Sequence, residues 1–403
     1  MTFILFLFVF CLIVVSHEFG HYIVAKINGI HVAEFGIGMG PKLISFHRNG
    51  TDYCIRLFPL GGACIYDLDE EGLPSEQVRS RSIAEKLGEL ASEHDEYVDE
   101  NTTGKYSGMK SKLPINSTDK KKAGADDGFL TEYKGITFNK APLRARIATI
   151  LAGPIFNFIL AYLLALIVVW NTGSTSPVIT GVMEDYPAAE AGIQPGDVIT
   201  EMNGSKVRLA TEIYLNTYLN KGHDMTITYL RDGKKNTVTV TPKYNEEDDR
   251  YLVGFNGYGK YVSCKNSGVF RYAYYEVRYG FIGTFKSLVM LVTGNGSKDD
   301  VAGPVGMAQI IDETKDAAAP YGPWVVMLNM FNLAMLLSVN LGILNMLPLP
   351  AIDGGRFLFM VIEGVRGKPV PADKENIVHL VGVVLLLILM VFVMYNDILR
   401  WIG

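Results

Sequence analysis

The chain lacks features that would mark it as disulfide-stabilised, nucleic-acid-binding or cleaved at its N-terminus. Its four cysteines, Cys11, Cys54, Cys64 and Cys264, have neither metal-knuckle spacing nor the pattern of a disulfide framework. Its 37 basic and 42 acidic residues give a net charge of -5, which argues against nucleic acid as a partner. Its first apolar run has no basic n-region and no small-residue cleavage site, so we expect that run to stay attached.

Long apolar segments are what the chain has in abundance. Hydrophobic residues make up 49% of it, and four segments are long enough to cross a hydrocarbon core. They are residues 3–24, 147–170, 325–347 and 377–398. The sequence therefore predicts an α-helical membrane protein with four transmembrane helices in a lipid bilayer, with the remaining charge gathered into loops or domains.

Basic residues near the span ends predict the direction of each crossing. Lys26, Arg144 and Arg146 flank the first loop. Four more lie between the last two spans: Arg356, Arg366, Lys368 and Lys374. Since basic residues are retained on the cytoplasmic side, we expect both regions in the cytoplasm and both termini outside. The ends of the first and third spans then meet at the same cytoplasmic depth.

The first span carries the motif H-E-x-x-H as His17, Glu18 and His21. On a helix, side chains at i and i+4 share one face, so both imidazoles can hold one Zn²⁺ with Glu18 beside the open coordination position. The alternative is a pair of hydrogen-bonded core histidines. It is disfavoured because such groups in hydrocarbon cost several kcal/mol unless something pairs with them. The motif predicts a metal-dependent peptidase site placed in a membrane.

A zinc ion held by two histidines needs a third protein ligand and an open position for water. Asp353 is the only carboxylate in residues 325–361, and the topology places it at the membrane face that also receives the histidines. Two prolines before it break the helix, and two glycines after it allow close backbone approach. We therefore predict Asp353 as the third ligand; the alternative is an aspartate that caps a helix or turn.

Residues 35–64 are not an ordinary loop. Segments 42–48 and 52–58 alternate in a strand-like way around Asn49-Gly50, a strong hairpin signal. We expect a β-hairpin sheet that dips into the membrane face, which is tolerated only where backbone packs on protein or lines a wet cavity. The alternative is a cytosolic hairpin that touches headgroups.

Residues 67–140 are rich in charge and read as a cytoplasmic insertion, partly disordered.

Residues 173–260 read as a small folded domain on the outer side. Short β-rich pieces at 178–182, 198–202, 225–230 and 237–241 surround a helical stretch at 211–219. The string PAAEAGIQPGDVI at 187–199 resembles a PDZ domain of the bacterial, protease-associated kind. PDZ domains hold peptides by strand addition, usually at a chain end, so peptide termini are expected partners.

The predicted order of domains follows from these segments. It is a first transmembrane helix with H-E-x-x-H and hairpin (1–66), a charged insertion (67–140), a second transmembrane helix (141–172), an α+β PDZ domain (173–260), an extracytoplasmic amphipathic linker (261–322), a third transmembrane helix with the Asp353 motif (323–375) and a fourth transmembrane helix (376–403).

Taken in order, these motifs resemble the site-2 protease family, peptidase family M50, and most closely its bacterial RseP-type branch. The resemblance rests on HEFGH, on AGPIFNF at 152–158, on the PDZ-like domain, on GPVG at 303–306, and on Asn340 with N-x-x-P-x-P-x-x-D-G-G at 345–355. Ile352 stands where the family has leucine before the aspartate, and the insertion after Cys64 is longer and more polar than the family pattern.

The resemblance implies a zinc metalloendopeptidase in the inner, cytoplasmic membrane of a bacterium. Such an enzyme cuts the transmembrane segment of a single-span protein after another protease has removed its outer domain. Family substrates include anti-sigma factors and remnant signal peptides, and the PDZ domain acts as a size filter.

The residues suggest how such a site would work. Glu18 would take a proton from a water and return it to the leaving amine. Asn345, Asn340 and Asn157 are candidates to hydrogen-bond the substrate backbone or the oxyanion. A helical substrate must unwind locally, and an edge strand of the hairpin sheet could take over its freed hydrogen bonds.

Two other function classes fit the sequence less well. A membrane-anchored PDZ adaptor or inactive homologue would have no reason to bury two histidines, Glu18 and Asp353. A transporter also places ionisable groups in spans, but four spans without an internal repeat fit it poorly.

Overall fold

A computed structural model describes residues 2–66, 135–246, 250–294 and 303–402, so most of the predicted 67–140 insertion lies outside the described residues. The α-helices within those ranges are α1 (Thr2–Ile27), α2 (Leu143–Thr172), α3 (Pro187–Glu190), α4 (Ala210–Asn220), α5 (Gly268–Val292), α6 (Pro304–Ala318), α7 (Pro323–Met346), α8 (Asp353–Arg366) and α9 (Ala372–Ile402). The strands are β1 (Val32–Arg48), β2 (Thr51–Tyr66), β3 (Ser174–Gly181), β4 (Val198–Met202), β5 (Ser205–Lys206), β6 (Met225–Arg231), β7 (Lys234–Val240), β8 (Lys243–Asn245), β9 (Arg250–Leu252) and β10 (Gly257–Val262).

Helices α1, α2, α7 and α9 are each long and apolar enough to cross a membrane, which confirms the four predicted spans. The first three pack together around one apolar core, in which Val9, Ala161 and Ala334 are almost completely buried. Small residues let the helices approach closely. At Gly20 an added Cβ would lie 2.9 Å from the carbonyl carbon of Ala152, so α1 and α2 pack backbone to backbone within the H-E-x-x-H motif itself, directly before His21.

Helix α9 packs much more lightly than the other three spans. Among its described side chains only Gly382 and Asp397 are buried, and most of the others face outward. At its C-terminal end the Asp397 carboxylate accepts hydrogen bonds from the backbone N–H groups of Gly303 and Gly306, at 3.2 and 2.9 Å. It thus satisfies donors at the start of α6 that have no partner within that helix.

Strands β1 and β2 form one hairpin that folds back on itself. Asn49 and Gly50 have φ of 51° and 72°, as a tight two-residue hairpin turn requires. Glu34 lies opposite both Ile65 and Asp52, so the first half of β1 is flanked by the two halves of β2. Among the described residues, the result is a four-stranded sheet in the order 61–66, 32–37, 52–56, 42–48, with 61–66 and 42–48 as edges.

A separate sheet domain spans residues 174–262. Its strands run in the order β10-β3-β4-β6-β7, with β5 paired to β4, and α4 packs on one side. Its core is a cluster of aliphatic side chains that includes Ile179, Ile199 and Ile227, each at 0% exposure. The tight turns after β4 and β6 use Asn203-Gly204 and Asp232-Gly233, all with positive φ.

The region predicted as a linker, 261–322, contains helices α5 and α6. Helix α5 packs along α2 and α7 and also holds the sheet domain. The Arg278 guanidinium pairs with the buried Glu212 carboxylate, and Lys286 Nζ donates to Asn216 Oδ1 at 2.8 Å. Both acceptors lie on α4, so α5 ties that helix to the membrane-spanning bundle.

Candidate metal centre

The two histidines of H-E-x-x-H lie on the buried face of α1. His17 is 7% and His21 5% exposed, although the surrounding run is apolar. Their spacing of four residues stacks the side chains one turn apart, and the rings meet edge to face with centroids 4.8 Å apart. Two imidazoles buried this deeply need a polar partner to offset the loss of hydration.

Asp353 is that partner, although it follows His17 by more than three hundred residues. Its Oδ2 lies 2.9 Å from His17 Nε2 and 3.2 Å from His21 Nε2, and the two Nε2 atoms are 3.2 Å apart. In tetrahedral zinc sites, ligand atoms about 2.0–2.1 Å from the ion lie about 3.3 Å from one another. The triangle therefore has almost the size that a shared zinc ion requires.

A hydrogen bond on the far side of His21 fixes which nitrogen faces the cluster. Its Nδ1 lies 2.8 Å from the Thr149 carbonyl oxygen on α2, a contact that requires the proton on Nδ1. The Nε2 lone pair is then free and points towards His17 and Asp353. A backbone carbonyl that orients a histidine in this way is a regular feature of metal sites.

Asn157 of α2 has the corresponding position behind His17. Its amide is fully buried, its Nδ2 lies 3.2 Å from His17 Nδ1, and its Oδ1 has no hydrogen-bond partner among the described residues. An amide turned by 180° has the same shape, and would offer that oxygen to an Nδ1–H. The orphaned oxygen thus fits a His17 whose Nε2 lone pair faces a metal ion.

Gly153 makes room for both imidazoles on α2. A Cβ at this position would overlap His21 Nε2 and lie 2.7 Å from His17 Cε1. Only glycine lets the α2 backbone approach the two rings so closely. The donor set, the orphaned oxygen and this cradle all fit a zinc ion among His17, His21 and Asp353.

Glu18 lies on the neighbouring face of α1, against the edge strand of the hairpin sheet. A Cβ on Gly62 would come within 2.5 Å of Glu18 Cγ, and the Cys64 backbone hydrogen-bonds the Glu18 carboxylate. Glu18 is not one of the three donors that converge, which are His17, His21 and Asp353. The carboxylate therefore lies beside the cluster and next to a strand edge.

The three asparagines predicted as substrate contacts have different surroundings. Asn345 Nδ2 lies 3.5 Å from His17 Nε2, at the rim of the cluster, and Asn157 lies behind His17. Asn340 lies five residues before Asn345 on α7, which is about 7.5 Å along the helix axis. Its Oδ1 accepts a hydrogen bond from the Thr284 hydroxyl of α5, so the structure pairs Asn340 with α5 rather than with the histidines.

Sequence reasoning missed Thr149, Gly62 and the role of Gly153. Thr149 contributes only a backbone carbonyl, which no side-chain pattern can reveal. Gly153 is part of AGPIFNF, and a Gly-Pro pair inside an apolar span is the signal that could have marked a close approach. Gly62 belongs to a Gly61-Gly62 pair in a strand, a signal of the same kind.

A second candidate site lies in the sheet domain. A cavity of about 400 Å³ opens between α4 and the segment 250–258, which leads into β10. Its walls are aromatic, with Tyr214 and Tyr218 on one side and Tyr251 and Phe255 on the other. Because β10 is at one end of the sheet order, its outer edge next to α4 can accept another strand.

Known families and proteins resemble this chain over nearly its whole length. The model of peptidase family M50 matches residues 5–389, a range that contains both H-E-x-x-H and Asp353. The regulator of sigma-W protease RasP of Bacillus subtilis (strain 168) is 33% identical, over 99% of this chain and 98% of that protein. The zinc metalloprotease RasP of Bacillus licheniformis is 34% identical, over 99% of each chain. Among solved structures, the PDZ domain of the SdrC-like protein from Listeria monocytogenes is 20% identical with a TM-score of 0.18, over 20% of this chain and 85% of that one.

Proposed function

This chain belongs to peptidase family M50 and is an intramembrane zinc metalloprotease of the site-2 type, and from that premise we propose that His17, His21 and Asp353 hold its zinc ion. The observation that carries the assignment is the convergence of Nε2, Nε2 and Oδ2 within 2.9–3.2 Å at a buried position. Thr149 and Asn157 support the two imidazoles from behind.

Bound zinc supplies Lewis-acid chemistry, which lowers the pKa of a water and polarises a carbonyl. Glu18 is the general base that removes a proton from the attacking water, and it delivers that proton to the leaving amine. Gly62 permits the approach of the edge strand to Glu18, so the substrate backbone and the base share one cleft. Asn345 donates its N–H to the substrate carbonyl oxygen, a kind of contact worth about 3 kcal/mol in other enzymes.

The substrate is a transmembrane helix, whose carbonyls are bonded within the helix and must be released before attack. The edge segment 61–66 supports a proposal for how this happens. It runs beside Glu18, and no other strand of the described residues pairs with its outer side, so an unwound substrate can add to it as a further strand. Strand addition would replace the lost helical hydrogen bonds and present one peptide bond to Glu18.

The cleaved proteins are single-span membrane proteins that another protease has already trimmed. The name of the Bacillus subtilis relative links it to sigma-W, which supports anti-sigma factors as one substrate class. Remnant signal peptides are a second class, because they too are short transmembrane segments without a folded outer domain. This is regulated intramembrane proteolysis.

We place the enzyme in the bacterial inner membrane with both termini outside and the metal centre near the cytoplasmic face. The basic residues near the span ends support this direction. Arg146 at the start of α2 pairs with Glu363 of α8, with Nη1 3.0 Å from Oε2, so the two regions of basic residues lie at the same end of the bundle.

The sheet domain is a PDZ domain on the outer side, in this proposal. Its cavity between α4 and segment 250–258 fits an extended peptide end with apolar side chains, added to the edge of β10. Because α5 holds the sheet domain against the bundle, the sheet domain would block substrates that still carry a bulky outer domain of their own. The domain therefore acts as a size filter.

Measurement of zinc content and turnover tests the assignment. His17→Ala, His21→Ala and Asp353→Ala should each lower bound zinc to a small fraction of one per chain, because each removes one of three ligands. Glu18→Gln should keep zinc and lose about 10²–10⁴-fold in cleavage of a transmembrane peptide in lipid nanodiscs. The exposed His223 is a matched control, and His223→Ala should change neither quantity. Full zinc in Asp353→Ala would remove that residue from the site, and undiminished cleavage by Glu18→Gln would remove the proposed base.

A further inference from the structure

The short strap between α7 and α8, residues 347–352, determines where Asp353 points. Ala351, two residues before the aspartate, has φ of 75°, a left-handed conformation that residues with a Cβ rarely adopt. The strap also folds tightly against the start of α8, since a Cβ at Gly355 would lie 3.0 Å from the Leu349 carbonyl carbon. A backbone held in such a conformation needs support from its surroundings.

That support comes from α9, the span that otherwise packs lightly. Gly382, one of the two buried positions among the residues of α9 whose burial is described, lies directly against Pro350 of the strap. A Cβ there would overlap Pro350 Cβ and lie 2.8 Å from the Pro350 carbonyl carbon. Glycine at 382 therefore allows the α9 backbone to rest on the strap.

One turn earlier on α9, His379 makes the polar contact with the strap. The Ala351 N–H donates to His379 Nδ1 at 3.0 Å. Nδ1 must therefore carry the lone pair, and the proton of a neutral ring lies on Nε2. Nε2 is 3.6 Å from Glu375 Oε1, beyond hydrogen-bond distance, and the ring lies 5.6 Å from that of Phe359 on α8. The imidazole thus fills the space between α9, the strap and α8.

We propose that His379 is a positioning residue for Asp353. By accepting the Ala351 N–H it holds the left-handed turn, and that turn aims the Asp353 carboxylate at the two histidines. The fourth span, α9, then orients the Asp353 carboxylate through the strap, although it supplies no ligand itself. This inference rests on the proposed role of Asp353 as a zinc ligand.

Variants of His379 separate this role from simple anchoring of α9. The amide oxygen of asparagine can occupy the place of Nδ1, whereas glutamine places its amide near Nε2. We expect His379→Ala and His379→Gln to weaken zinc binding about 10–100-fold in a chelator competition, and to lower kcat with little change in KM. His379→Asn should remain within a few-fold of wild type.

A backbone variant gives a second, independent readout. Glycine adopts a φ of 75° without a steric cost, so Ala351→Gly should recover most of the zinc affinity that His379→Ala loses. Asp397→Ala is the matched control, because it releases α9 from α6 at the other end of the span. It should leave zinc affinity unchanged if His379 acts through the strap.

Each outcome decides one question. Equal losses in the alanine, glutamine and asparagine variants, or equal losses in Asp397→Ala, would show that α9 is merely an anchor and overturn the proposal. Unchanged zinc affinity in His379→Ala would overturn it as well. If Asp353→Ala itself keeps zinc, the ligand assignment fails; if Asp353→Ala loses zinc while His379→Ala does not, only the positioning role fails.

Discussion

Two glycines, Gly153 and Gly62, bring backbone against the H-E-x-x-H motif at places where a methyl group would not fit. The first faces the imidazoles and the second faces Glu18. The same substitution, glycine to alanine, should therefore disturb two different functions. Their comparison separates metal binding from proton transfer without removing any ligand or the base.

Gly153→Ala should lose zinc. Its Cβ would lie 2.7 Å from His17 Cε1 and overlap His21, and overpacking of this kind costs about 1–3 kcal/mol. We expect zinc affinity to fall about 10–100-fold, measured by chelator competition. Gly283→Ala is the control, because its nearest neighbour would be Leu215 Cδ2 at an ordinary 3.5 Å. An unchanged affinity in Gly153→Ala would mean that the rings do not need this cradle.

Gly62→Ala should keep zinc and lose turnover. Its Cβ would lie 2.5 Å from Glu18 Cγ and 3.1 Å from Val14 Cγ1, so either the base or the edge strand must shift. We expect kcat to fall at least tenfold at full zinc occupancy, because the base and the substrate strand are no longer in register. Loss of zinc in this variant would instead place Gly62 in the metal-binding architecture.

The sequence predicts which three side chains converge, because their signals are local. Two histidines four residues apart share a helical face whatever surrounds them, and Asp353 was the single carboxylate available near its span. The contacts that orient these ligands are not local. The Thr149 carbonyl and the left-handed Ala351 depend on how α2 and α9 pack, and no single segment encodes either of them.

The hairpin between α1 and α2 shows the same division between local and distant signals. Alternation around Asn49-Gly50 predicts strands at 42–48 and 52–58, whereas the strands extend over Val32–Arg48 and Thr51–Tyr66. Glycines interrupt the alternation, and Gly38, Gly40 and Gly61 all have positive φ. These bends fold the hairpin into a four-stranded sheet. This fold brings segment 61–66 to Glu18.

A buried carboxylate, that of Glu34, and two basic side chains connect the segments of the folded hairpin. The Glu34 carboxylate accepts hydrogen bonds from Lys42 and Arg56, whose nitrogens lie 2.6 and 2.5 Å away, and from Cys54. Burial by itself would raise the pKa of Glu34, but these three hydrogen bonds lower it to about 2. Lys42 lies in segment 42–48, whereas Cys54 and Arg56 both lie in segment 52–56, so Glu34 connects its own segment, 32–37, to two others.

This cluster should make the hairpin sensitive to acid. A carboxylate whose folded-state pKa is depressed contributes its full stability above its ordinary pKa, near 4.5, and loses it as pH falls towards 2. In zinc-free protein, a nitroxide at Leu43→Cys should therefore gain mobility in spin-resonance spectra between pH 4.5 and 2, and not between pH 7 and 5. Glu34→Gln should be mobile already at pH 7, without the acid transition. An acid transition that survives in Glu34→Gln would assign it to another group.

The direction in which the whole chain crosses the membrane decides which compartment supplies substrates and receives products. Sequence patterns predicted the four spans because each needs only length and apolarity, and the structure agrees. The prediction that the first loop and the region between the last two spans lie at the same end of the bundle depends on the order of the spans. The Arg146–Glu363 contact is consistent with that prediction. The direction itself rests on the distribution of basic residues alone.

Cysteine labelling in intact cells tests that direction. In a background with the four native cysteines replaced, Asn203→Cys in the sheet domain should react with an impermeant thiol reagent added outside. Lys368→Cys, between α8 and α9, should react only after the inner membrane is permeabilised. Both positions lie in exposed turns or loops, so access to reagent is not limited by burial. The reverse pattern would place the metal centre at the outer face.

The X-ray absorption spectrum of the zinc-loaded protein tests the metal centre most directly. We expect one zinc ion with four nitrogen or oxygen neighbours at about 2.0–2.2 Å, two of them imidazoles, and no sulfur. The alternative is a sulfur ligand from Cys64, which lies in the strand beside Glu18. Its thiolate would give a neighbour at about 2.3 Å. A sulfur neighbour, or any number of imidazoles other than two, would contradict a centre built from His17, His21 and Asp353.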